Sequence, residues 1–313
     1  MAINRRTLLA GTGTAAAVGA GYAVYRQAPP FFWKQLYNDI SRSIPAAAHR
    51  PTPELWPDRG LHVAWLGHAT TLVKMDGFTV LIDPVFSDRC GLNVLLGTIG
   101  PKRLVKPAMT IDSLPKIDLV LLTHAHFDHW DMPSLKALAS RNIPVVCARQ
   151  TQDLLDLPSW QSAQELGWRE KAQIGPLSLR GLEVRHWGAR VRSDTYRGYN
   201  GYLIASGRYK VLFGGDSAIT PLFKEARGTG PINLAIMPIG AYNPWVNAHC
   251  NPEEAVAMAN MAGAEHILPI HHQTFALGVE PVHEPIERFF GALGNHAHRA
   301  VAYEIGMQWS LAT

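Results

Sequence analysis

An apolar run that leads into a cluster of metal-binding residue types constrains this chain more than any other feature. Residues 119–122 read Leu-Val-Leu-Leu, a strand too apolar to have a solvent face. Four imidazole or carboxylate donors follow within six positions: His124, His126, Asp128 and His129. Such donors suit zinc, and a tight loop after a rigid strand can aim alternate side chains at two neighbouring points. The pattern predicts a metal site at the end of a buried strand.

Three further donors recur in the same local context. His186 follows Leu-Arg-Gly-Leu-Glu-Val-Arg, Asp216 follows Val-Leu-Phe-Gly-Gly, and His271 follows His-Ile-Leu-Pro-Ile. Any one of them alone is more typical of a cap or a satisfied hydrogen-bonding group than of a ligand. Parallel and mixed sheets, however, collect ligands at the carboxyl ends of their strands. Four strand ends that deliver the right residue types therefore predict one shared centre.

The remaining apolar runs predict two sheets covered by helices and folded as one unit. A helix is predicted after Asn251, because Pro252 and two glutamates follow this N-cap residue and Gly263 ends the segment. Another is predicted over residues 285–293. Asp76 and Gly77 form a two-residue hairpin signal. Strands are predicted at residues 61–66, 70–75, 78–82, 118–122, 145–148, 177–184, 202–204, 209–213, 234–239 and 266–270.

Charge and cysteine content exclude several classes of protein. The net charge is +4, and the lysines and arginines are scattered, so no nucleic-acid surface is indicated, although a weak attraction to anionic lipid fits. Cys90, Cys147 and Cys250 are odd in number and widely separated, which predicts buried thiols and neither a disulfide framework nor a zinc ribbon.

The motif T-H-x-H-x-D-H, followed by single His, Asp and His residues, resembles the metallo-β-lactamase superfamily over about residues 60–305. This resemblance implies an α/β (α+β) fold, the αββα sandwich of two mixed sheets flanked by helices. Shorter motifs resemble the N-acylphosphatidylethanolamine-hydrolysing phospholipase D family. They are W-L-G-H-A-T at 65–70, I-D-P at 82–84, G-P-K-R at 100–103, G-D-S at 215–217, P-I-G-A-Y at 238–242, P-E-E-A-V at 252–256 and I-H-x-x-T-F-A-L at 270–277.

The resemblance also implies a division of the donors between two zinc ions per chain. One ion is expected on His124, His126 and His186 and the other on Asp128, His129 and His271, with Asp216 between them. Two ions about 3.5 to 4 Å apart can share a bridging hydroxide and polarise the scissile group. No serine or cysteine nucleophile is then needed.

Four other residues near the motifs have expected roles. Asp128 could also orient the attacking hydroxide, and His249 is a candidate substrate contact or support group. His68 is either a support for a ligand or a structural turn residue, and Asp83 has the better claim to a support role. Because adjacent strand residues point to opposite sides, we expect His271, and not its neighbour His272, to face the metals.

An apolar segment followed by basic residues suggests a membrane or substrate loop. Residues 90–100 are predicted to be an apolar, flexible loop that brings three leucines to the headgroup boundary, while basic groups after it meet phosphates. The alternative is an ordinary buried loop with a solvated basic flank. The residues concerned are Leu92, Leu95, Leu96, Lys102 and Arg103.

The amino terminus predicts targeting. Residues 1–28 resemble a twin-arginine signal or a membrane anchor, because Arg5 and Arg6 precede a weakly apolar, uncharged stretch. A periplasmic or inner-membrane-tethered protein is expected; a cytoplasmic protein with a frayed terminus is the alternative. Residues 29–59 are predicted to be an N-terminal arm and residues 60–313 a metallo-β-lactamase-fold hydrolase domain.

The predicted function is a zinc-dependent phosphodiesterase of the phospholipase D type. A phospholipid of the N-acylphosphatidylethanolamine class is the expected substrate, with possible membrane-surface association and no nucleic-acid partner. A lactone or amide hydrolase would use the same metals. A non-catalytic metal-binding or scaffolding protein is the alternative of a different class, and the complete ligand set argues against it. The sequence leaves the oligomeric state open.

Overall fold

A computed structural model describes residues 34, 37–94, 97–139, 142–228 and 230–311. Residues Ser43–Thr313 form one compact unit, and residues up to Arg42 form a separate one. Part of the predicted arm belongs to the larger unit, where the backbone N–H of Lys106 donates to the Pro45 carbonyl. The predicted twin-arginine segment lies outside the described residues. Within the described residues, no helix has the length and apolar character needed to cross a bilayer.

Short strands account for most of the regular structure. In chain order they are β1 Leu61–Gly67, β2 Thr70–Met75, β3 Phe78–Ile82, β4 Leu92–Val94, β5 Gly97–Ile99, β6 Leu119–Leu121, β7 Pro144–Ala148, β8 Ser162–Leu166, β9 Lys171–Ile174, β10 Leu177–Leu182, β11 Gly201–Ser206, β12 Tyr209–Phe213, β13 Ile232–Pro238, β14 Ala264–Ile270 and β15 Gln308–Leu311.

Helices separate some of these strands. The α-helices are α1 Met132–Ala139, α2 Lys224–Arg227, α3 Pro252–Ala262 and α4 Glu284–Leu293. Single 3₁₀ turns lie at Pro53–Leu55, Ile111–Ser113, Gln152–Leu154, Leu157–Ser159 and Pro221–Phe223, and a longer, kinked 3₁₀ segment lies at Gly294–Arg299.

The strands form two large mixed sheets, as predicted. One has the order β15-β1-β2-β3-β6-β7-β8, the other β14-β13-β12-β11-β10-β9, and β4 and β5 form a separate pair. In the first sheet β3, β6, β7 and β8 run parallel to one another. In the second, β12, β13 and β14 do so. Strand ends that carry predicted donors therefore meet at common edges.

Apolar side chains between the sheets form the main core. Val63 of β1 and Leu121 of β6 share a buried cluster with Tyr202 of β11 and Phe213 of β12, so the two sheets pack face to face. Leu212 points to the opposite side of its strand from Phe213. A second cluster joins Leu212 and Met237 to Met258 of α3 and Phe289 of α4. These contacts confirm the predicted αββα arrangement.

Local signals explain why two elements formed as predicted. The Asn251 side chain accepts from the backbone N–H of Glu254 at 2.9 Å, and Gly263 ends α3 in the left-handed conformation with φ of 73°. Asp76 and Gly77 turn the β2–β3 hairpin with φ of 46° and 88°. The second predicted helix, α4, begins one residue earlier than expected, at Glu284.

Several elements differ from the prediction. Residues 90–100, predicted to be a flexible loop, contain the paired strands β4 and β5. The strands β8, β9 and β15 and the helix α1 were not predicted. In β8 the exposed and half-buried positions alternate without an apolar face, so the segment lacks the hydrophobic pattern of a strand. The three cysteines are free and buried, as predicted.

Candidate metal centre

Most of the predicted donors follow the ends of strands, one in the first sheet and two in the second. The loop after β6 carries four of them, Asp216 lies just beyond β12, and His271 directly follows β14. His186 was predicted to lie at a strand end, but β10 ends at Leu182 and His186 lies on the segment between β10 and β11. Gly215 makes the turn into Asp216 with φ of 59°, and a Cβ atom there would collide with the carbonyl oxygen of Asn200. The strand ends and the segment of His186 bring all seven donors into overlapping groups.

One set of donors, the three-histidine group, consists of His124, His126 and His186. The His126 Nδ1 atom lies 2.9 Å from the His124 Nε2 atom and 3.2 Å from the His186 Nε2 atom. Nitrogen ligands around one tetrahedral zinc ion would be separated by about 3.4 Å. The spacing of these atoms therefore fits a single metal ion.

The other set, the mixed group, consists of Asp128, His129 and His271. The Asp128 Oδ2 atom lies 3.5 Å from His129 Nε2 and 3.3 Å from His271 Nε2. Asp216 lies between the two groups: its Oδ2 atom is 3.1 Å from His129 Nε2 and 3.8 Å from His186 Nε2. One carboxylate is thus within reach of both groups.

Several buried atoms in the cluster have no hydrogen-bond partner among the described residues. They include the Oδ1 atom of Asp216. The Nε2 atoms of His129 and His271 lie 3.1 Å and 3.3 Å from Asp216 Oδ2 but form no hydrogen bond of good geometry. Burying a polar atom without a partner costs free energy, so native proteins rarely do so without a reason. Imidazole nitrogens and carboxylate oxygens are ligands for zinc and related ions. The residues present therefore fit bound metal.

The two groups differ in charge. Burial lowers the pKa of His124 and His186 well below the usual value, and that of His126 to about 4, so the three-histidine group is neutral at pH 7. In the mixed group burial acts the same way, but Asp216 and Asp128 outweigh it. They raise the pKa of His129 well above its usual value and that of His271 to about 9.

The carboxylates of Asp128 and Asp216 carry the negative charges that pair with those protonated imidazoles. Burial alone would raise the pKa values of Asp128 and Asp216. The neighbouring His129 opposes burial at both carboxyls, and with other histidines it holds both pKa values well below the usual range. Both carboxylates are therefore ionised and ready to bind a cation.

Asp83 supports ligands of both groups. Its Oδ2 atom accepts from His129 Nδ1 at 2.8 Å and from Thr123 Oγ1 at 2.6 Å, and Thr123 Oγ1 lies 2.9 Å from His124 Nδ1. Each contact occupies the Nδ1 side of a ligand ring and leaves its Nε2 atom facing the cluster. The structure places Asp83 where the sequence predicted a support residue.

His68 contacts the mixed group through Asp128. Its Nε2 atom donates to Asp128 Oδ2 at 2.9 Å, and its backbone N–H donates to Thr274 Oγ1 at 2.7 Å. Burial, with the neighbouring His271, lowers the pKa of His68 to about 3, so this imidazole is neutral. The geometry fits support of Asp128, which was one of the two predicted roles.

Three of these residues have unusual backbones. His68, Asp83 and His271 have φ values of 53°, 42° and 65°. Residues other than glycine rarely adopt the left-handed region, and such strain concentrates at functional sites. The packing around the cluster therefore holds the backbone of these three residues in a conformation that their side chains disfavour.

Of two further histidines, one reaches the cluster and the other does not. His249 reaches the cluster, with its Nε2 atom 3.2 Å from Asp216 Oδ2 and its ring 4.9 Å from that of His186. His272 packs its ring 4.6 Å from Trp65 and belongs to none of the donor groups formed by the described residues. His271, and not His272, is the member of the pair in the cluster.

The predicted membrane loop needs one correction. Leu92 is 39% exposed and Lys102 is half-buried, whereas Leu95 and Leu96 lie outside the described residues. Arg103 is fully buried, and its Nε atom donates to the Ser87 carbonyl at 2.7 Å. Its guanidinium also lies over the Phe275 ring. The prediction that Arg103 meets phosphates at the surface is wrong, because backbone carbonyls take up its donors.

The sequence-based reasoning missed two aromatic residues. Trp187 is 40% exposed, yet its ring centroid lies 4.4 Å from that of His186 and 4.6 Å from that of His126. Trp245 lies 6.4 Å from Trp187 by the same measure. The signal was available, because Trp187 directly follows a predicted ligand in the sequence.

Comparison with known proteins gives concordant matches. The family model described as the beta-lactamase superfamily domain matches residues 79–272. An uncharacterized protein of Mycobacterium tuberculosis is 35% identical over 80% of this chain and 70% of its own length. The N-acyl-phosphatidylethanolamine-hydrolyzing phospholipase D 1 of Caenorhabditis elegans is 31% identical over 71% of this chain and 66% of its own. A metallo hydrolase structure from Ignicoccus hospitalis covers 82% of this chain and all of its own, with a TM-score of 0.62 and 18% identity.

Proposed function

The chain belongs to the metallo-β-lactamase superfamily and is a metal-dependent hydrolase, and from this premise we propose that it is a zinc-dependent phosphodiesterase of the phospholipase D type. The proposed substrate is a glycerophospholipid of the N-acylphosphatidylethanolamine class. The observation that carries the proposal is the pair of donor groups around Asp216, together with the similarity to the phospholipase of Caenorhabditis elegans. The products would be a phosphatidic acid and a free head group.

The chain's own residues divide the chemical work. Bound metal ions act as Lewis acids, which polarise a phosphoryl oxygen and lower the pKa of water. Asp128 has an ionised carboxylate in the cluster, and its side chain is 15% exposed, so it can orient an attacking water. His68 holds that carboxylate in place through its Nε2–H. His249, whose Nε2 atom lies 3.2 Å from Asp216 Oδ2, is the proposed substrate contact.

A cysteine nucleophile does not fit this site. All three thiols are buried, and burial raises each of their pKa values, that of Cys147 to about 12. A thiol is a weak nucleophile unless it is ionised. Water would then be the nucleophile, and metal ions held by the two donor groups would supply the lowered pKa that it needs.

Location and membrane contact remain part of the proposal. The twin-arginine-like segment suggests export, and replacing Arg5 and Arg6 with lysines should then change the location of the protein in cell fractions. Leu92 and Lys102 are the described residues of the proposed membrane loop. They lie on β4 and shortly after β5.

A parallel substrate assay tests the proposal. Zinc-loaded protein is given vesicles of N-acylated and plain phosphatidylethanolamine, a lactone and a β-lactam, and phosphatidic acid is followed by mass spectrometry. His126→Ala serves as the matched control that removes one ligand. We expect phosphatidic acid from the wild type and none from the variant. Lactone or lactam turnover without phosphatidic acid would reject the lipid proposal and leave a metal-dependent hydrolase of another substrate class.

A further inference from the structure

Arg190 contacts the loop that carries four of the metal donors, and the proposed chemistry leaves this residue unused. We call residues 124–130 the donor loop. The Nη1 atom of Arg190 donates to the Ala125 carbonyl at 2.7 Å and to the Trp130 carbonyl at 2.9 Å. His124 directly precedes Ala125, and the other three donors of the loop lie between the two carbonyls in the sequence. One guanidinium nitrogen therefore joins the two ends of the donor loop.

The middle of the donor loop packs against the same guanidinium. The Cζ atom of Arg190 lies 4.1 Å from the centroid of the Phe127 ring. A guanidinium plane is attracted to an aromatic face, which adds a further contact to the two hydrogen bonds. Arg190 therefore contacts the donor loop at both ends and in the middle, and this restricts the loop more than a single hydrogen bond would.

Water does not reach the residues whose carbonyls accept from Arg190. Ala125 and Trp130 are both fully buried. A buried carbonyl without a hydrogen-bond partner costs free energy, so removing the guanidinium would favour other shapes of the loop in which these carbonyls find partners. Inside the loop, the backbone N–H groups of His129 and Trp130 donate to the His126 carbonyl. Those contacts fold the middle of the loop, and Arg190 holds its ends.

Contacts outside the donor loop fix the chain next to Arg190. The backbone N–H of Val191 donates to Asp194 Oδ1 at 2.8 Å, and Arg197 Nε donates to Asp194 Oδ2 at 2.6 Å. The Nη1 atom of Arg197 in turn donates at 2.6 Å to Asp153 Oδ1, in the 3₁₀ turn that follows β7. The segment of Arg190 is thereby tied to the first sheet at a place other than the donor loop.

The segment of Arg190 also supplies a donor to the three-histidine group. His186 lies four residues before Arg190, and its Nε2 atom lies 3.2 Å from Nδ1 of His126 in the donor loop. The contacts of Arg190 and of His186 therefore join the same two parts of the chain. A shift of the donor loop relative to this segment would separate His186 from the two histidines with which it forms one donor group.

We propose that Arg190 is a positioning residue that holds the donor loop in its metal-binding shape before any metal binds. This inference rests on the proposed function for zinc as the metal and is independent of the lipid substrate. Arg190 acts through the backbone of the loop. Ligands that are already in place lose less conformational entropy when a metal binds, so the affinity is higher. Because one loop carries ligands of both donor groups, loss of Arg190 should weaken both.

Hydrogen exchange and zinc titration test this role together. Exchange of the donor loop is measured by mass spectrometry in metal-free wild type, Arg190→Met and Arg190→Lys, and zinc affinity by chelator competition. Arg299→Met is the matched control. The Arg299 guanidinium also donates to two backbone carbonyls, those of Glu265 at 3.1 Å and Ala264 at 2.7 Å. They lie at the start of β14, at the opposite end of that strand from His271. Thermal unfolding is recorded for every variant.

We expect the donor loop to exchange about tenfold faster in metal-free Arg190→Met than in wild type, because its end contacts are lost. Zinc affinity should fall by about 10- to 100-fold for both ions. Arg190→Lys should lie between wild type and Arg190→Met, since an ammonium donates hydrogen bonds but lacks the planar fork. It also carries the test if Arg190→Met does not fold. Arg299→Met should match wild type in both measurements.

Unchanged exchange of the donor loop in the Arg190 variants would overturn the inference. Faster exchange with unchanged zinc affinity would overturn it as well, and so would equal changes in Arg299→Met, which would reduce the effect to a general loss of stability. A wild-type protein that binds no zinc would reject the metal of the proposed function. Exchange in the metal-free protein would then decide whether Arg190 holds the loop.

Discussion

The two donor groups of the metal cluster lie side by side but are held by different means. The three-histidine group is neutral, and the groups that contact the Nδ1 atoms of two of its rings are neutral as well. His186 Nδ1 donates to the Ala248 carbonyl at 2.9 Å, and His124 Nδ1 contacts the Thr123 hydroxyl. The mixed group consists of charged pairs, and the Asp83 carboxylate contacts His129 directly. The difference shows that one loop after β6 can supply donors to two groups whose electrostatics are set by other parts of the fold.

The largest expected effect comes from removing the carboxylate that the two groups share. Asp216→Asn keeps the shape of the side chain but takes away its negative charge. Because Asp216 lies within reach of both groups, metal content and turnover should both fall. Turnover should fall by more than the loss of about 10- to 100-fold that is typical when a residue supporting a ligand is removed. Elemental analysis and a turnover assay measure the two effects. Full metal occupancy in this variant would show that the groups do not share it.

A support residue should have a smaller and more selective effect. Asp83→Asn weakens the contact that orients His129, so zinc affinity should drop by about 10- to 100-fold in a chelator competition titration. The loss should fall mainly on the mixed group, because Asp83 reaches His124 only through Thr123. Asp88→Asn, which removes an exposed carboxylate paired with Lys106, is the matched control. Equal losses in the two variants would contradict the support role.

Because the two groups differ in charge, metal binding should release protons from the mixed group and not from the three-histidine group. In metal-free protein at pH 7 the raised pKa values of His129 and His271 keep both imidazoles protonated, so a metal that binds there must displace protons. The lowered pKa values of the three-histidine group mean that its ligands are already neutral. Calorimetry in buffers of different ionisation enthalpy should show release of about two protons on metal loading. Release from His271 should disappear as the pH rises through its pKa of about 9. No release at pH 7 would remove the proposed contrast.

How much of the centre the sequence could predict follows from this comparison. The donors were predictable because strand ends in a mixed sheet converge, so the residue type and its place after an apolar run were sufficient. The charge of each group was not predictable. It depends on Asp216, which comes from a different strand, lying nearer to His129 than to His186.

The fold shows the same division between local and non-local information. Helix α3 was predictable, since its cap, its first turn and its terminal glycine are contiguous in the sequence. Strand β15 was not, because it exists through pairing with β1 at the other end of the domain. Arg103 was misjudged for a related reason. A basic residue after an apolar segment suggests a solvated flank, but here the carbonyls of Val85 and Ser87 accept its donors.

The smallest expected effect concerns a region away from both groups. If the β4–β5 strand pair contacts lipid, Leu92→Ser should lower turnover on vesicles by about threefold, through loss of a partly exposed apolar contact. Turnover of a short-chain, monomeric phospholipid should stay the same, because Leu92 belongs to neither donor group. An equal fall with both substrates would point to a folding defect, and no fall with either would exclude this contact.

The number of metal ions per chain tests the central claim, that two donor groups joined through Asp216 each hold one ion. Wild type, His126→Ala and His129→Ala are loaded with zinc, desalted and measured by elemental analysis. The two-group account predicts about two ions per chain in the wild type and about one in each variant, because each substitution removes a ligand of one group. One ion in the wild type and none in either variant would contradict it, since all seven donors would then serve a single site.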